Sequence, residues 1–247
     1  APFNEPDHGT WQGNVTRFGD VAWQLRWSGA FPAFSYSAPD FIRIMGGNTL
    51  NNDEAASWYD TLNGWGFVEE GNTHQLAGNF GTYADFYSNV RTNGDIATND
   101  ELHNVMEAMV GAQYGMDVGI WWGTAQRARG EFVKASDGMR LAYAENRPNW
   151  TAASVYRAPN GKVQAFVGES ERQANVTTFR FFSKDRPVFF DGHGPLRAFD
   201  VTTTGAPGYQ TPNHHNAERV LNVTWGEDVQ PLIDGRYTLV NRASGQV

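Results

Sequence analysis

The stretch FIRIMGGNTLNNDEAASWYDTLNGWGFV, residues 41–68, carries the pattern that decides the fold. Its apolar run, residues 41–45, has the length of a strand and ends at a pair of glycines. Asn51 is a suitable N-cap for a helix over residues 53–62, with a glutamate three positions later as in a capping box. An Asn-Gly pair ends this helix, and a second short strand follows over residues 65–68. The stretch therefore predicts a strand–helix–strand unit.

The alternation of strands and helices continues toward residue 145. We predict helices over residues 82–91 and 105–114, strands over 95–99 and 118–122, and a short helix over 138–145 after a long loop. This rhythm is typical of a parallel sheet with helical crossovers. Four such units correspond to half of a (β/α)8 barrel or to one Rossmann-like sheet. No Gly-x-Gly-x-x-Gly or P-loop motif occurs in the sequence, which favours the barrel.

The pattern changes after Pro148. The segment SVYRAPNGKVQAFVGES, residues 154–170, predicts two strands joined by a Pro-Asn-Gly turn. Later segments rich in aromatic and β-branched residues continue this pattern. We therefore expect an α/β region over residues 1–147, followed by an antiparallel β-sandwich over residues 148–229.

Composition excludes several classes of protein. The 247 residues are 40% apolar and 19% charged, and include nine Trp, nine Tyr and sixteen Phe, which argues against a disordered chain. The absence of cysteine excludes disulfides and cysteine-based zinc sites. The net charge is −8 and the basic residues form no run, so no nucleic-acid partner is expected. No apolar stretch approaches the roughly 18–20 residues of a membrane span. A neutral ligand such as a sugar fits this composition.

Two glutamates are candidates for acid–base chemistry. Glu5 lies in the tripeptide Asn4-Glu5-Pro6, and a residue before proline is biased toward extended geometry, as where a strand becomes a loop. Glu101 directly follows the third predicted strand. In a parallel barrel the carboxyl ends of the strands line the active site. Hydrolysis of a glycosidic bond uses a pair of carboxyl groups, which these two glutamates would supply.

Other carboxylates compete for the second position of the pair. Glu69 and Glu70 end the second predicted strand. Asp100 is a third rival, although the alternation of side chains along a strand predicts that it and the next residue face opposite sides. Glu107 falls at the N3 position of a helix, where a capping box explains it without a catalytic role.

Three further residues are candidates for substrate binding. His74 is expected in the loop after the second strand, where it could bind a carboxylate or a sugar hydroxyl. Trp121 and Trp122 close the fourth strand, and alternation predicts that only one of them lines the cavity. The sequence contains no Gly-x-Ser-x-Gly, His-Glu-x-x-His or EF-hand motif. We therefore predict no α/β-type serine hydrolase, no metal site and no cofactor.

Together these features resemble the C-terminal half of a retaining β-glycoside hydrolase of the (β/α)8 superfamily called clan A, in its families with an appended β-sandwich. There the fourth strand ends in Asn-Glu-Pro, which Asn4, Glu5 and Pro6 match. The seventh strand ends in the nucleophile, at the position of Glu101. The resemblance implies that Glu5 is the acid/base, that Glu101 is the nucleophile, and that Asn4 holds the hydroxyl beside the reacting carbon.

The resemblance has further implications for binding and localisation. His74 would follow the sixth barrel strand near the nucleophile, and Trp121 or Trp122 would floor the sugar site after the eighth. The final GRYTLVNRASGQV is similar to the start of a ricin-B-type carbohydrate-binding module, so residues 230–247 would be a linker and the opening of that module. We expect a secreted or extracellular enzyme that acts on a poly- or oligosaccharide.

In this resemblance the chain supplies strands 4–8 of the barrel, and the first half of the barrel is missing. Because a half barrel has open sheet edges, we expect activity to require the N-terminal half, as a missing segment or a separate chain. Both ends of the chain look cut within an element, and residues 1–247 alone are expected to be poorly soluble or partly unfolded. The alternative hypotheses are a non-catalytic carbohydrate-binding or adhesion protein, and a lyase or other sugar-active enzyme.

Overall fold

The computed structural model describes residues 4–9, 13–123, 126–206, 218–225, 229–231 and 237–239. Over these ranges the protein is a mixed α/β structure with one parallel four-stranded sheet and separate antiparallel sheets. The chain divides into two compact units. Unit 1 comprises Ala1–His103 and Val110–Thr124, and unit 2 comprises Asn104–Met109 and Ala125–Val247.

The first part of the chain alternates helices and strands. In order, the elements are α1 (Val15–Trp27), β1 (Met45–Asn51), α2 (Asn52–Gly64), β2 (Glu70–Ala77), α3 (Phe80–Thr92), β3 (Ile96–Leu102), α4 (Val105–Tyr114) and β4 (Val118–Trp121). The predictions of α2, α3, α4 and β4 are confirmed. Asn51 caps α2 as expected, since its side chain accepts a hydrogen bond from the backbone N–H of Asp53 at 2.9 Å.

The first three strands lie further along the chain than predicted. β1 replaces the strand expected at 41–45, β2 replaces the one at 65–68, and β3 extends three residues beyond 99. The carboxyl halves of these strands are polar, as in EGNTHQLA of β2, and the hydropathy pattern assigns such segments to loops. In the fold they are buried because their polar side chains bond to one another across the sheet.

The parallel sheet has the strand order β1-β2-β3-β4, and each neighbouring pair is parallel. Helices α2 and α3 pack against it. Gly47 in β1 has φ +91°, and a Cβ atom there would lie 2.5 Å from the carbonyl oxygen of Asn72 in β2. A glycine is therefore required for the close approach of β1 and β2. A closed barrel is not seen among the residues that the structure describes.

In its described residues, unit 2 contains an α-helix after α4, a short 3-10 helix (Arg147–Asn149) and a set of antiparallel strands. The elements are α5 (Arg127–Ser136), β5 (Met139–Asn146), β6 (Thr151–Arg157), β7 (Val163–Glu169), β8 (Thr178–Phe182), β9 (Val188–Phe190), β10 (His193–Leu196), β11 (Ala198–Thr202), β12 (Glu218–Thr224), β13 (Val229–Pro231) and β14 (Tyr237–Leu239). The six-stranded sheet has the order β10-β9-β12-β7-β6-β5, and β8 pairs with β11. The predicted hairpin around the Pro-Asn-Gly turn is confirmed as the β6–β7 pair.

The core of unit 2 combines residues of the six-stranded sheet with residues of the β8–β11 pair. Its buried members are Ala153, Ala165, Val167, Phe179, Phe181, Val188, Phe190 and Val201. The short helix predicted over 138–145 is wrong, because β5 occupies that segment and pairs with β6. The alternating large residues of MRLAYAEN explain the strand.

The domain ranges 1–147, 148–229 and 230–247 stay predictions. Across the described part of the chain, none of the helices has the length and hydrophobicity that crossing a membrane requires.

Candidate active site

Backbone contacts hold Glu5 at the carboxyl end of β1. The backbone N–H of Glu5 donates to the carbonyl oxygen of Asn48 at 3.0 Å. The carboxylate of Asp7 accepts backbone N–H groups from Leu50 at 2.8 Å and from Asn51 at 2.7 Å. Glu5 has φ +46°, a left-handed conformation that is unfavourable for a residue with a side chain and is often found at functional sites. The segment that carries Glu5 is therefore fixed to the end of the strand.

His74 lies inside β2 and not in the loop where the sequence predicted it, and it is fully buried. Its Nδ1 atom is 3.2 Å from Oε1 of Glu5. Its Nε2 atom is 2.8 Å from Oδ1 of Asp100. Oε2 of Glu101 lies 3.7 Å from Nδ1. One imidazole ring therefore faces carboxylates from two separate segments of the chain.

Asp100 and Glu101 are neighbours in β3, yet both approach His74. The expectation that they face opposite sides of the strand is wrong. The pairing of β3 with β4 shifts its register between Asn99 and Leu102, and an irregularity of this kind interrupts the alternation of side chains. The backbone N–H of Glu101 also bonds to Oδ1 of Asn99 at 2.9 Å. The end of β3 can therefore supply two carboxylates to one site.

The structure brings Glu5 and Glu101 together. One ligand atom each from Glu5, His74 and Glu101 lie within 4.8 Å of one another. This limit on the separation of the nearest oxygens is below the roughly 5–5.5 Å between the carboxyl groups of retaining glycosidases and well below the roughly 6.5–9.5 Å of inverting ones. The same three atoms could hold a metal ion, with Asp100 orienting the histidine as a carboxylate often does in metal sites.

The charges in this cluster are strongly coupled. Burial lowers the pKa of His74, but the hydrogen bonds to Asp100 and Glu5 and the charge of Glu101 outweigh it and raise the pKa to about 9. Burial raises the pKa of Glu101; the charge of His74 opposes this, and those of Glu5 and Asp100 add to it. Burial acts to raise the pKa of Asp100, but the bond to His74 outweighs it and the pKa is lowered. A low pKa is expected of a nucleophile, so the direction found for Glu101 is the one an acid requires.

A chain of asparagines supports the carboxylates from below. Nδ2 of Asn72 donates to Oδ1 of Asp100 at 2.7 Å and to Oδ1 of Asn48. Oδ1 of Asn72 accepts from Oγ1 of Thr98 at 2.8 Å and from the backbone N–H of Asp100 at 3.1 Å. Asn48 in turn donates from Nδ2 to Oδ1 of Asn4 at 2.9 Å. Asn4 is therefore oriented by its oxygen, which leaves its Nδ2 group as its remaining side-chain donor.

The two tryptophans differ in their surroundings. Trp122 is 45% exposed, and its ring centroid is 6.3 Å from that of His103. Nε2 of His103 lies 3.9 Å from Oε2 of Glu101. His103 therefore lies near both Trp122 and the carboxylate of Glu101. Trp121 is partly buried, and the expectation that only one of the two tryptophans lines a cavity stays a prediction.

Glu69 and Glu70 lie at the other end of the parallel sheet. The prediction that they end the second strand is wrong, because Glu70 is the first residue of β2. Glu69 pairs with Arg26 and accepts the backbone N–H of Ile44 at 2.9 Å, and Glu70 pairs with Arg43. They therefore cannot contribute to a site at the carboxyl ends of the strands.

The capping explanation of Glu107 is confirmed. Oδ1 of Asn104 accepts the backbone N–H of Glu107 at 3.1 Å, and its Nδ2 donates to the carboxylate of Glu107 at 2.9 Å. This carboxylate is buried, and the cap accounts for it.

Sequence reasoning missed Asn48, Asn72 and His103, and treated Asp100 only as a rival. One signal was present in the sequence: Asn72 and His74 are two residues apart, so they share one face if the segment is a strand. Placing this segment in a loop concealed that relationship.

No protein-family model matches this chain, and a search of curated proteins finds no similar sequence.

Proposed function

We propose that the protein is a retaining β-glycoside hydrolase that acts on a poly- or oligosaccharide, with Glu5 and Glu101 as its two carboxyl groups. The observation that carries this proposal is that one oxygen of each approaches within 4.8 Å of the other. A double displacement needs two carboxyl groups that flank the glycosidic bond, one as the acid and the other as the nucleophile. The two groups are roughly 5–5.5 Å apart.

In the first step Glu101 attacks the anomeric carbon while the bond from that carbon to the leaving oxygen breaks. Glu5 gives its proton to the leaving oxygen, so the leaving group departs as an alcohol. In the second step Glu5 takes a proton from water, and the oxygen of that water displaces Glu101 from the sugar. Asn4 would donate from Nδ2 to the hydroxyl beside the reacting carbon, and Trp122 would offer a flat apolar face to the ring.

The allocation of the two roles rests on the resemblance in chain order. The raised pKa of Glu101 in the free protein favours the opposite allocation, with Glu101 as the acid and Glu5 as the nucleophile. Both allocations use the same pair of residues. They differ in which substitution is compensated by a good leaving group.

We also propose that the chain supplies strands 4–8 of a (β/α)8 barrel, with Glu5 at the end of strand 4 and β1–β4 as strands 5–8. The antiparallel strands would form a β-sandwich, and residues 230–247 would begin a carbohydrate-binding module. Val118 and Ile120 of β4 are 45% and 54% exposed, although parallel strands normally have both faces covered. This supports an N-terminal half of the barrel, as a further segment or a separate chain, that covers β4. We also propose that the enzyme is secreted.

The test uses the protein together with the segment or chain that completes the barrel. A panel of aryl β-glycosides and β-linked polysaccharides is incubated with it, and the first product is followed by proton NMR. The proposal predicts that the β-anomer appears first and later mutarotates. An initial α-anomer would reject the retaining mechanism. Binding of oligosaccharides without turnover would favour the non-catalytic carbohydrate-binding protein.

A further inference from the structure

A closed ring of hydrogen bonds passes through the site. It runs from Asn4 through Asn48, Asn72 and Asp100 to His74, and from His74 back to Glu5, the neighbour of Asn4. The ring therefore joins the segment of Glu5 to β1, β2 and β3. Within it, Asp100 is the residue that connects the asparagines to the histidine.

We propose that Asp100 is a positioning residue that acts through His74, holding Nε2 so that the Nδ1–H group is aimed at both Glu5 and Glu101. This inference rests on the proposed function, because it gives the histidine a task in the double displacement. Asp100 does not need to touch the substrate for this task.

Asn72 holds Asp100 in place independently of the histidine. The Oδ1 atom of Asp100 receives Nδ2 of Asn72 at 2.7 Å, and the backbone N–H of Asp100 donates to Oδ1 of the same asparagine at 3.1 Å. Oδ1 of Asp100 also lies 2.8 Å from Nε2 of His74. Asn72 thus holds Asp100 through both its carboxylate and its backbone N–H. This leaves the imidazole one favourable orientation, because the reversed ring would turn a C–H edge toward Asp100.

In this orientation Nδ1 lies 3.2 Å from Glu5 and 3.7 Å from Glu101. The first chemical step moves negative charge from Glu101, which becomes an ester, to Glu5, which loses its proton. The pair carries one negative charge before and after the step. The Nδ1–H group lies near both oxygens and can follow that charge with a small shift of its hydrogen bond, so it stabilises both states without leaving its place.

The titratable groups that face His74 are Glu5, Asp100 and Glu101, with His103 beyond Glu101. The orientation of the ring therefore depends on carboxylates from two segments of the chain. Of these, only Asp100 contacts Nε2, so its removal changes the ring's orientation as well as its charge.

The test compares Asp100→Ala and Asp100→Asn with Asp85→Asn, which alters an exposed aspartate of α3. Nitrogen-15 NMR of labelled histidine, without substrate, reports the protonation of each ring nitrogen of His74. We expect the wild-type spectrum to show a hydrogen-bonded Nε2–H group, which Asp100→Ala loses and Asp100→Asn, which keeps an acceptor, retains in part. The control should match the wild type.

Kinetics on an unactivated substrate provide the second readout. Asp100→Ala should lower kcat about 10- to 100-fold with little change in KM. The alkaline limb of its pH–rate profile should move to lower pH, so the range of pH over which the enzyme is active narrows. Asp100→Asn should recover part of this loss. An unchanged His74 spectrum in Asp100→Ala, or an unchanged pH profile beside a changed spectrum, would overturn the positioning role. The spectrum is measured without turnover, so it decides the question even if no glycoside is hydrolysed, which would refute the proposed function alone.

Discussion

One carboxylate oxygen of Glu5 lies within 4.8 Å of one carboxylate oxygen of Glu101. Glu5 precedes the first strand of the parallel sheet and Glu101 lies near the end of the third, so the fold and not the sequence neighbourhood joins them. His74 lies between them on the middle strand.

Glu5→Gln should lower kcat/KM by about 10²- to 10⁴-fold on glycosides with poor leaving groups, because the departing oxygen then receives no proton. The loss should be much smaller on aryl glycosides whose leaving group departs as a stable anion. The measurement is a plot of log kcat/KM against leaving-group pKa. The matched control is Glu70→Gln, at the opposite end of β2, which should retain wild-type rates. A steep dependence for Glu101→Gln in place of Glu5→Gln would exchange the two roles.

Glu101→Gly should abolish turnover on every substrate, since no nucleophile remains. Azide should restore turnover of an activated aryl β-glycoside, because the small anion fits the space of the deleted side chain. The product should be the α-glycosyl azide, identified by NMR. Rescue that produces a β-product, or rescue of Glu5→Gly with an α-product, would contradict the assignment of Glu101 as nucleophile.

The stability of the fold should decrease between about pH 6.5 and pH 9. His74 has a folded-state pKa raised from 6.5 to about 9, so its contribution is fully present below 6.5 and is lost as the pH rises through 9. The shift corresponds to about 3 kcal/mol of unfolding free energy. Urea denaturation at several pH values measures it. His74→Gln should be less stable at pH 6 and nearly independent of pH across this window; a parallel decline in both proteins would show that other groups cause it.

Much of this arrangement could be predicted from sequence, and the remainder could not for a physical reason. Glu5 is recognisable because it precedes a proline in Asn4-Glu5-Pro6, and Glu101 because it comes at the end of a predicted strand. Helix α4 and strand β4 are recognisable because apolar spacing defines them. Asn72 was not, because its burial depends on bonds to residues of other strands that no local pattern contains. Asp100 shares the face of Thr98, since both bond to Asn72, whereas Glu101 joins it against strict alternation where the register shifts at the end of β3.

Gly47→Ala should destabilise the protein by more than about 1 kcal/mol and reduce activity. The added methyl would lie 2.5 Å from the backbone oxygen of Asn72, and φ +91° is unfavourable for alanine. The strands that carry the ring of hydrogen bonds would have to separate. Gly64→Ala is the control, because a Cβ there meets no atom within 4 Å and no change in thermal stability beyond a small gain is expected. Equal effects of the two substitutions would contradict the close β1–β2 approach.

A chelator should leave hydrolysis unchanged, because the proposed steps use only carboxyl groups and water. Added Zn²⁺ should inhibit if it displaces the Nδ1 proton of His74, because ligand atoms of Glu5, His74 and Glu101 lie close enough together to share one ion. Rates measured after dialysis against EDTA check the first expectation. Loss of activity that one divalent metal restores would instead identify a metal-dependent enzyme.

The most direct test of the two-glutamate mechanism is to trap the glycosyl-enzyme intermediate. The complete protein is treated with a 2-deoxy-2-fluoro glycoside that carries a dinitrophenyl leaving group, in the sugar series that it hydrolyses fastest. Peptide mass spectrometry then locates the adduct. We expect one sugar per active site, attached to Glu101, and no adduct in Glu101→Gln. An adduct on another carboxylate would contradict this expectation, as would turnover of the reagent without an adduct and with an inverted product.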